Sequence, residues 1–404
     1  MLSTQIPIQL QRVLFFDLEI SGHHVEYLYH LIKYRVEHPE CPEFLLVVHP
    51  DFIHHLNGLE LPQDWHSKGV VIIHPSQNEM RKLSNISSLF KIADFEIQVL
   101  NRIVHEHQIE ICYLMTLNKF QFAVGRQAAR NLPCRIRGIL FNPFGTTGNR
   151  KYDFLAKLRK HLQLKWMMRN NKLEHIYILN NIDQVNALNK EYRRRDFFLY
   201  LPDPILMQHR DPQSIVDHVP SRTHKYRFLL FGSLSKTKGI FLVLEALKQI
   251  PDEITCHIEI FFAGCVVNNN REAFLNTLTD LRHSLPAINI QYLDQFIPYV
   301  SLAALFSNSD CVLVPYIGNQ SSSGVIGHAA LYGKPVISPD CGLIGELVRR
   351  YQLGYLMKAM DATSLALAMT SMYRGGKLFS DTPGMRRFVV EHDPRMFVEA
   401  LISY

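Results

Sequence analysis

Residues 228–247 read FLLFGSLSKTKGIFLVLEAL: a strand-like run, a loop holding Gly232, Lys236 and Lys238, and then a helical pattern. An ammonium group at such a turn can reach a phosphate held at the N-terminus of the next helix, where the dipole also favours negative charge. A second stretch, PYIGNQSSSGVIGHAALYGKPVI over 315–337, offers related chemistry without a cation. Its small residues from Ile317 to Ser323 follow a strand-like DCVLVPY and open a helix closed by Gly333. Bare amides at that turn would accept an anion; a serine capping the helix, with a glycine packed on the sheet, is the other reading. A P-loop is excluded, because Gly327 and Gly333 are one residue too far apart and Pro335 stands where a hydroxyl residue is required. No D-x-D or H-E-x-x-H occurs, which disfavours a metal-dependent nucleotide site. His105 and His107, two apart on a helical pattern, point in different directions and read as surface residues.

Two such loops need a scaffold of alternating elements. RVLFFD, FLLVVH, VVII, EICYLM and CRIRGIL read as strands in the first half, and RFLLFG, HIEIFFAG, INIQYL, CVLVPY and KPVIS in the second, with helical patterns between them. Strict alternation implies parallel sheets built from right-handed crossovers. The predicted class is therefore α/β, with two Rossmann-like doubly wound domains facing across a cleft. A ligand would lie beyond the carboxyl ends of the strands. A length of 404 residues suits two domains better than one core. Residues 201–225 carry four prolines and no sustained periodicity, so they read as the linker. The expected divisions are 1–200, the linker, 226–380, and a C-terminal helix over 381–404 that crosses back to the first domain.

Composition is that of a soluble globular chain, 47% hydrophobic and 20% charged. The apolar runs are strand-sized, and the N-terminal stretch lacks the basic and apolar regions of a secretory signal. Seven singly spaced cysteines without a C-x-x-C predict reduced thiols and a cytoplasmic location. The net charge of +6 is unevenly spread: residues 119–172 hold 13 Lys and Arg against one acid, Asp153. Within them RKYDFLAKLRKHLQLKWMMRNNK has a helical pattern, with Phe154, Leu155, Leu158, Leu162 and Trp166 on one stripe and Lys157, Arg159 and Lys160 off it. Such a helix either packs on the first domain or meets an anionic membrane surface or a lipid-phosphate acceptor. Nucleic acid is not expected, since no binding motif accompanies the charge.

The segments FGSLSKTKG, YLDQFIPYVSLAALFSNSDCVLVPY, GHAALYGKPVISPDCGLIGELV and LGYLMKAMDATSLALAM, all within about 226–375, resemble the retaining, metal-independent GT-B glycosyltransferases, especially glycosyltransferase family 4. In the first half only LFFDLEISGHHVEYLYHLI is similar, at the glycine loop after the first strand. The resemblance implies that the second domain holds a nucleotide sugar and the first holds the acceptor. It assigns the donor diphosphate to Lys238 and places Ser233 where the family usually has an arginine. Gln320 and His328 stand at the two ends of the family's Glu-x7-Glu motif, which touches the donor sugar and the ribose. Glutamine can serve sugar hydroxyls and neutral histidine can accept from a ribose hydroxyl, whereas serine cannot reproduce a guanidinium fork on phosphate. Lys236 or an arginine of the first domain could fill that role.

By the same resemblance Lys238 and His23 are the catalytic candidates. Gly22, Gly232, Ser233, Phe296, Ile297, Ser321, Ser322, Ser323, Gly324 and Val325 join Gln320 and His328 around the donor. His24, Thr116 and Asn118 lie on the acceptor side, the last two where the family often has a histidine. No cofactor or metal is implied beyond the nucleotide sugar itself, with UDP-glucose favoured by its frequency in the family. The implied activity is retaining hexosyl transfer to an envelope or exopolysaccharide acceptor, free or lipid-linked, in the cytoplasm or on the inner face of the plasma membrane. A non-catalytic nucleotide-sugar-binding protein and a sugar-nucleotide epimerase on the same plan are the alternatives.

Overall fold

A computed structural model describes residues 12–403 apart from 21, 57, 142–149, 208–223 and 319–322. The chain forms two units, one running to Pro202 and resuming at Phe397, the other spanning Asp203–Met396. The first contains β1 (Arg12–Asp17), β2 (Glu43–Val48), β3 (Val70–Ile73), β4 (Ile111–Leu114), β5 (Arg135–Leu140), β6 (Leu173–Leu179) and β7 (Phe198–Leu201). Their order in the sheet is β3-β2-β1-β4-β5-β6-β7, and every pairing is parallel. The second contains β8 (Tyr226–Phe231), β9 (Ile258–Ala263), β10 (Asn289–Leu293), β11 (Cys311–Leu313), β12 (Val336–Pro339) and β13 (Gly354–Met357). Their order is β10-β9-β8-β11-β12-β13, again all parallel. The expected α/β class with two doubly wound sheets is thus present.

In each sheet the winding reverses beside the first strand, between β1 and β4 and between β8 and β11. Loops leaving the carboxyl ends of those strands diverge to opposite faces and leave a crevice. The inner strands are buried on both sides and so are rich in Val, Ile, Leu and Phe, while the edge strands β3, β10 and β13 are only partly buried. Helix Leu89–His107 packs Ile97, Leu100 and Ile103 against Leu14, Phe16 and Leu114 of the first sheet. In the second unit, helix Ile240–Leu247 covers one face, and helices Gly324–Leu331 and Gly342–Tyr351 cover the other.

The sequence reading named five strands in each half and missed β6, β7 and β13. Glu174 and His175 interrupt the first of these, while the other two are four residues long, β13 opening on a glycine. Residues 381–404 form two helices, Pro383–Glu391 and Pro394–Ile402, because Pro394 cannot continue the first. The second helix is fastened to the first unit at its carboxyl end. The Leu401 carbonyl accepts from the hydroxyls of Tyr113 and Tyr177, and Arg137 donates to the Tyr113 oxygen at 2.7 Å. Phe397 packs on Tyr27, ring centroids 4.8 Å apart.

At the amino ends of the second sheet, Arg227 and Glu259 form a fully buried ion pair at 2.9 Å, completed by Asn289 donating at 3.0 Å. Removing one partner of such a pair would strand a charge. These groups hold the scaffold at the end of the sheet away from the loops that could bind ligand. Among the described residues no helix is long and apolar enough to cross a membrane.

Candidate active site

In the second unit both loops singled out by sequence leave the reversal point of the sheet. After β8 the chain passes through Gly232 and the exposed Ser233 into a single 3-10 turn, Lys236–Lys238. Gly239 follows at φ 80°, a conformation that glycine adopts without strain, and helix Ile240–Leu247 begins. After β11 the chain runs through Pro315, Tyr316 and Ile317. The Ile317 amide donates to the Thr237 carbonyl at 2.8 Å, tying the two loops together. The Lys238 ammonium lies 3.7 Å from the centroid of the Tyr316 ring. No carboxylate among the described residues pairs with it. A cation resting on an aromatic face is attracted to it but keeps its charge. Lys236, two residues earlier, is exposed.

Helix Gly324–Leu331 starts beside this pair. Ser323 occupies the N-cap position, yet its hydroxyl makes no cap hydrogen bond and instead donates to the Tyr316 hydroxyl at 3.4 Å. Among the described residues no side chain caps the first amides of the helix, and a Cβ placed on Gly324 would meet nothing within 4 Å. Val325 is buried in the core, and Gly333 at φ 62° closes the helix as expected. One turn into the helix, His328 is buried, and its Nδ1 has no hydrogen-bond partner among the described residues. Burial, only partly offset by Asp203, lowers its pKa to about 4, so the ring is neutral near pH 7. Beyond β10, Phe296 is exposed and Ile297 lies in the core. Gln320, Ser321 and Ser322 lie outside the described residues.

In the first unit the reversal point carries a group that sequence reasoning missed. Asp17, the last residue of β1, is buried, and its Oδ2 lies 2.8 Å from Nδ1 of His24. Thr116 Oγ1, just beyond β4, lies 3.2 Å from the same nitrogen. Burial opposes charge on His24, but the Asp17 carboxylate outweighs it and raises the pKa. With Nδ1–H donating to the carboxylate, Nε2 is the nitrogen through which neutral His24 can accept a proton. Gly22 makes the entry to the helix at φ 62° and ψ −138°. His23 is exposed and stacks on Tyr27 and Phe141, with centroids 5.7 and 6.0 Å away. Asn118 spends its amide on Phe141, donating to its carbonyl at 2.8 Å and accepting from its N–H at 2.7 Å. It thereby fixes the ring on which His23 rests.

Beneath Asp17, Lys119 bridges Glu19 at 3.0 Å and Glu96 at 2.6 Å. Burial raises the Glu96 pKa to about 7 against the pull of Lys119. Among the described residues no group of three or more His, Cys, Asp or Glu is placed to hold a metal ion.

His30 gives a measurable acid sensitivity. It is fully buried, its Nε2 has no partner among the described residues, and burial with nearby Lys33 lowers its pKa from 6.5 to about 3. Below pH 6.5 the unfolded chain binds the proton and the folded chain does not. Stability is therefore present above pH 6.5 and is lost as pH falls toward 3, by a few kcal/mol on the order of the shift. His30→Leu is expected to flatten the fall of the melting temperature between pH 7 and 4 relative to the parent. Glu96 acts in the opposite sense in both proteins and cancels from the comparison. Parallel curves would remove His30 as the cause.

Residues 225–374 match the family described as glycosyl transferases group 1. No curated protein matches the sequence significantly. Anabaena Alr3699/HepE, solved in complex with UDP and glucose, is 16% identical with a TM-score of 0.64, covering 98% of this chain and 100% of that one. Sucrose-phosphate synthase from Thermosynechococcus elongatus is 14% identical with a TM-score of 0.65, over 97% and 96%. The UDP-forming alpha,alpha-trehalose-phosphate synthase from Burkholderia vietnamiensis is 9% identical with a TM-score of 0.67, over 97% and 99%. At such identities the likeness is one of fold, and it extends across both units.

Proposed function

We propose that this chain is a glycosyltransferase of the GT-B type, which the family match over residues 225–374 and the shared fold support, and that it transfers a hexosyl group with retention, from a UDP-sugar to a saccharide. UDP-glucose is the favoured donor, which the UDP and glucose held by the Anabaena protein support. The observation that carries the reading is Lys238, a cation without a carboxylate partner among the described residues, resting on Tyr316 beside the open helix end at Gly324. A diphosphate supplies the counter-charge that Lys238 lacks among the described residues, and the amides of Gly324 and Val325 serve its oxygens. The unpartnered Nδ1 of His328 is suited to a ribose hydroxyl. Gln320 is assigned to the sugar, and His24, oriented by Asp17, to the acceptor.

In the reaction the bond from the anomeric carbon to the diphosphate breaks. The acceptor oxygen bonds that carbon on the same face, and its proton passes to the departing diphosphate oxygen. No protein nucleophile or metal ion is assigned a role; the site stabilises charge growing on the leaving group. We assign the acceptor to envelope or exopolysaccharide saccharides on the resemblance alone.

Calorimetric titration with UDP and with UDP-glucose tests the site. His328→Ala is expected to weaken UDP itself by about tenfold, the loss of one buried hydrogen bond. Gln320→Ala is expected to weaken only the extra affinity contributed by the sugar. Equal affinities of all three proteins for both ligands would remove the assignment. Slow hydrolysis of UDP-glucose is the expected turnover without an acceptor. Binding with no turnover would instead make the chain a binding protein, and a changed sugar would make it an epimerase.

A further inference from the structure

Helix Arg150–Met167 buries a different face from the one its pattern suggests. Gln163, Leu164 and Met167 face inward, while Leu155, Leu158 and Leu162 are 64%, 48% and 60% exposed. Those leucines recur at three and four residues and so share one face. Lys165 continues the row and Arg169 follows just past the helix end, both exposed. Residues 154–173 contain no acid. The apolar surface extends beyond this helix. Phe122 packs edge-on against exposed Phe90, centroids 5.1 Å apart, and Leu89 beside it is 71% exposed. Between Phe122, Leu162 and Trp166 lies a cavity of about 480 Å³, rimmed by Arg159, Lys165 and Arg169. Trp166 donates to the Phe122 carbonyl at 3.0 Å, and Arg169 stacks on its ring at 5.4 Å.

We propose that this face docks on an anionic bilayer surface, with Leu89, Phe90, Phe122, Leu155, Leu158 and Leu162 entering the interface. Exposed leucine and phenylalanine bordered by cations match the acyl boundary and the anionic headgroups in turn. Arg159, Lys165 and Arg169 meet the phosphates, and the cavity among them admits a headgroup. A second copy of the chain fits less well, since a two-fold contact would set these same cations against one another. Lys160 has no part in the face; it is half-buried, with its ammonium directed to Gln121 at 3.5 Å. The inference is independent of the donor chemistry, because the face belongs to the first unit alone.

The test is sedimentation of the full chain with phosphatidylcholine vesicles, with and without phosphatidylglycerol. Binding is expected only with the anionic lipid at low salt, and it should decline as salt rises. Leu158→Gln with Leu162→Gln leaves the charge unchanged and is expected to weaken binding at least about tenfold. Lys165→Glu with Arg169→Glu should do the same. All four side chains are exposed, so both variants should melt like the parent, and both should hydrolyse UDP-glucose as the parent does. Absence of binding at low salt would overturn the proposal. So would leucine variants that bind like the parent, or a dimer that the leucine changes dissolve.

Discussion

Lys238→Ala is expected to keep its fold and melting behaviour while losing on the order of a hundredfold in turnover of UDP-glucose. The diphosphate gains negative charge as the glycosidic bond breaks, so a cation beside it helps the transition state more than the bound substrate. Losing such a positioned donor costs roughly 3 kcal/mol of activation free energy. Ser233 makes the share carried by Lys238 unusually large, because a hydroxyl cannot supply the two-point contact of a guanidinium. The ring of Tyr316 explains how the ammonium is held ready. A cation–π contact contributes about 0.5–2 kcal/mol, enough to bias the side chain toward the crevice and too little to compete with a diphosphate.

Several variants separate these roles. Tyr316→Phe should turn over almost normally and Tyr316→Leu only in part, since the ring and not the hydroxyl holds the lysine. Lys236→Ala should lose little, because that side chain is exposed and outside the pairing. Arginine supplied at Ser233 in the Lys238→Ala background should restore part of the rate. Near-normal turnover by Lys238→Ala, or a larger defect at Lys236 than at Lys238, would end this assignment. Steady-state hydrolysis rates with melting curves on the same preparations decide it.

What the sequence made legible was local. Lys238 and the small-residue turn before Gly324 announce themselves because strand, glycine, cation and helix follow within a few residues. Alternation of strands and helices was enough for the two parallel sheets, since it depends on each element's own period. Contacts made across the fold were hidden. Asp17 ends an apolar strand, and the turn at Gly22 brings His24 onto it. A carboxylate at the carboxyl end of the first strand, seven residues before a histidine, was the available signal. Tyr316 was hidden inside a strand-like run, and Lys119 meets Glu19 and Glu96 from 100 and 23 residues away. Asn118 is expected on the acceptor side, and its amide is committed to Phe141. The basic helix shows a further limit. Periodicity identifies an apolar stripe without stating whether that stripe packs inward, and here the leucines lie outside.

Gly239→Ala is expected to destabilise the second unit by about 3 kcal/mol and to reduce turnover at least as much as Lys238→Ala does. Two costs add at this position. The backbone sits at φ 80°, where an L side chain is strained. A Cβ there would overlap the Pro315 carbonyl oxygen and lie 2.8 Å from Pro315 Cγ. Neither backbone can yield alone, because the Ile317 amide binds the Thr237 carbonyl and closes the two loops into one joint. Relief must push the Lys236–Lys238 turn away from Tyr316, which removes the lysine from the ring and strains the entry to helix Ile240–Leu247. Gly333→Ala supplies the comparison. It has a similar φ of 62°, but its nearest neighbour would be the Asp381 side chain at 3.2 Å, at the far end of helix Gly324–Leu331. That variant should lose about 1 kcal/mol and little turnover. Chemical denaturation and UDP-glucose hydrolysis, measured on both variants, distinguish strain at a cap from displacement of the site. If Gly239→Ala matched Gly333→Ala in both measurements, the two loops would not be coupled as the close approach of Gly239 to Pro315 requires.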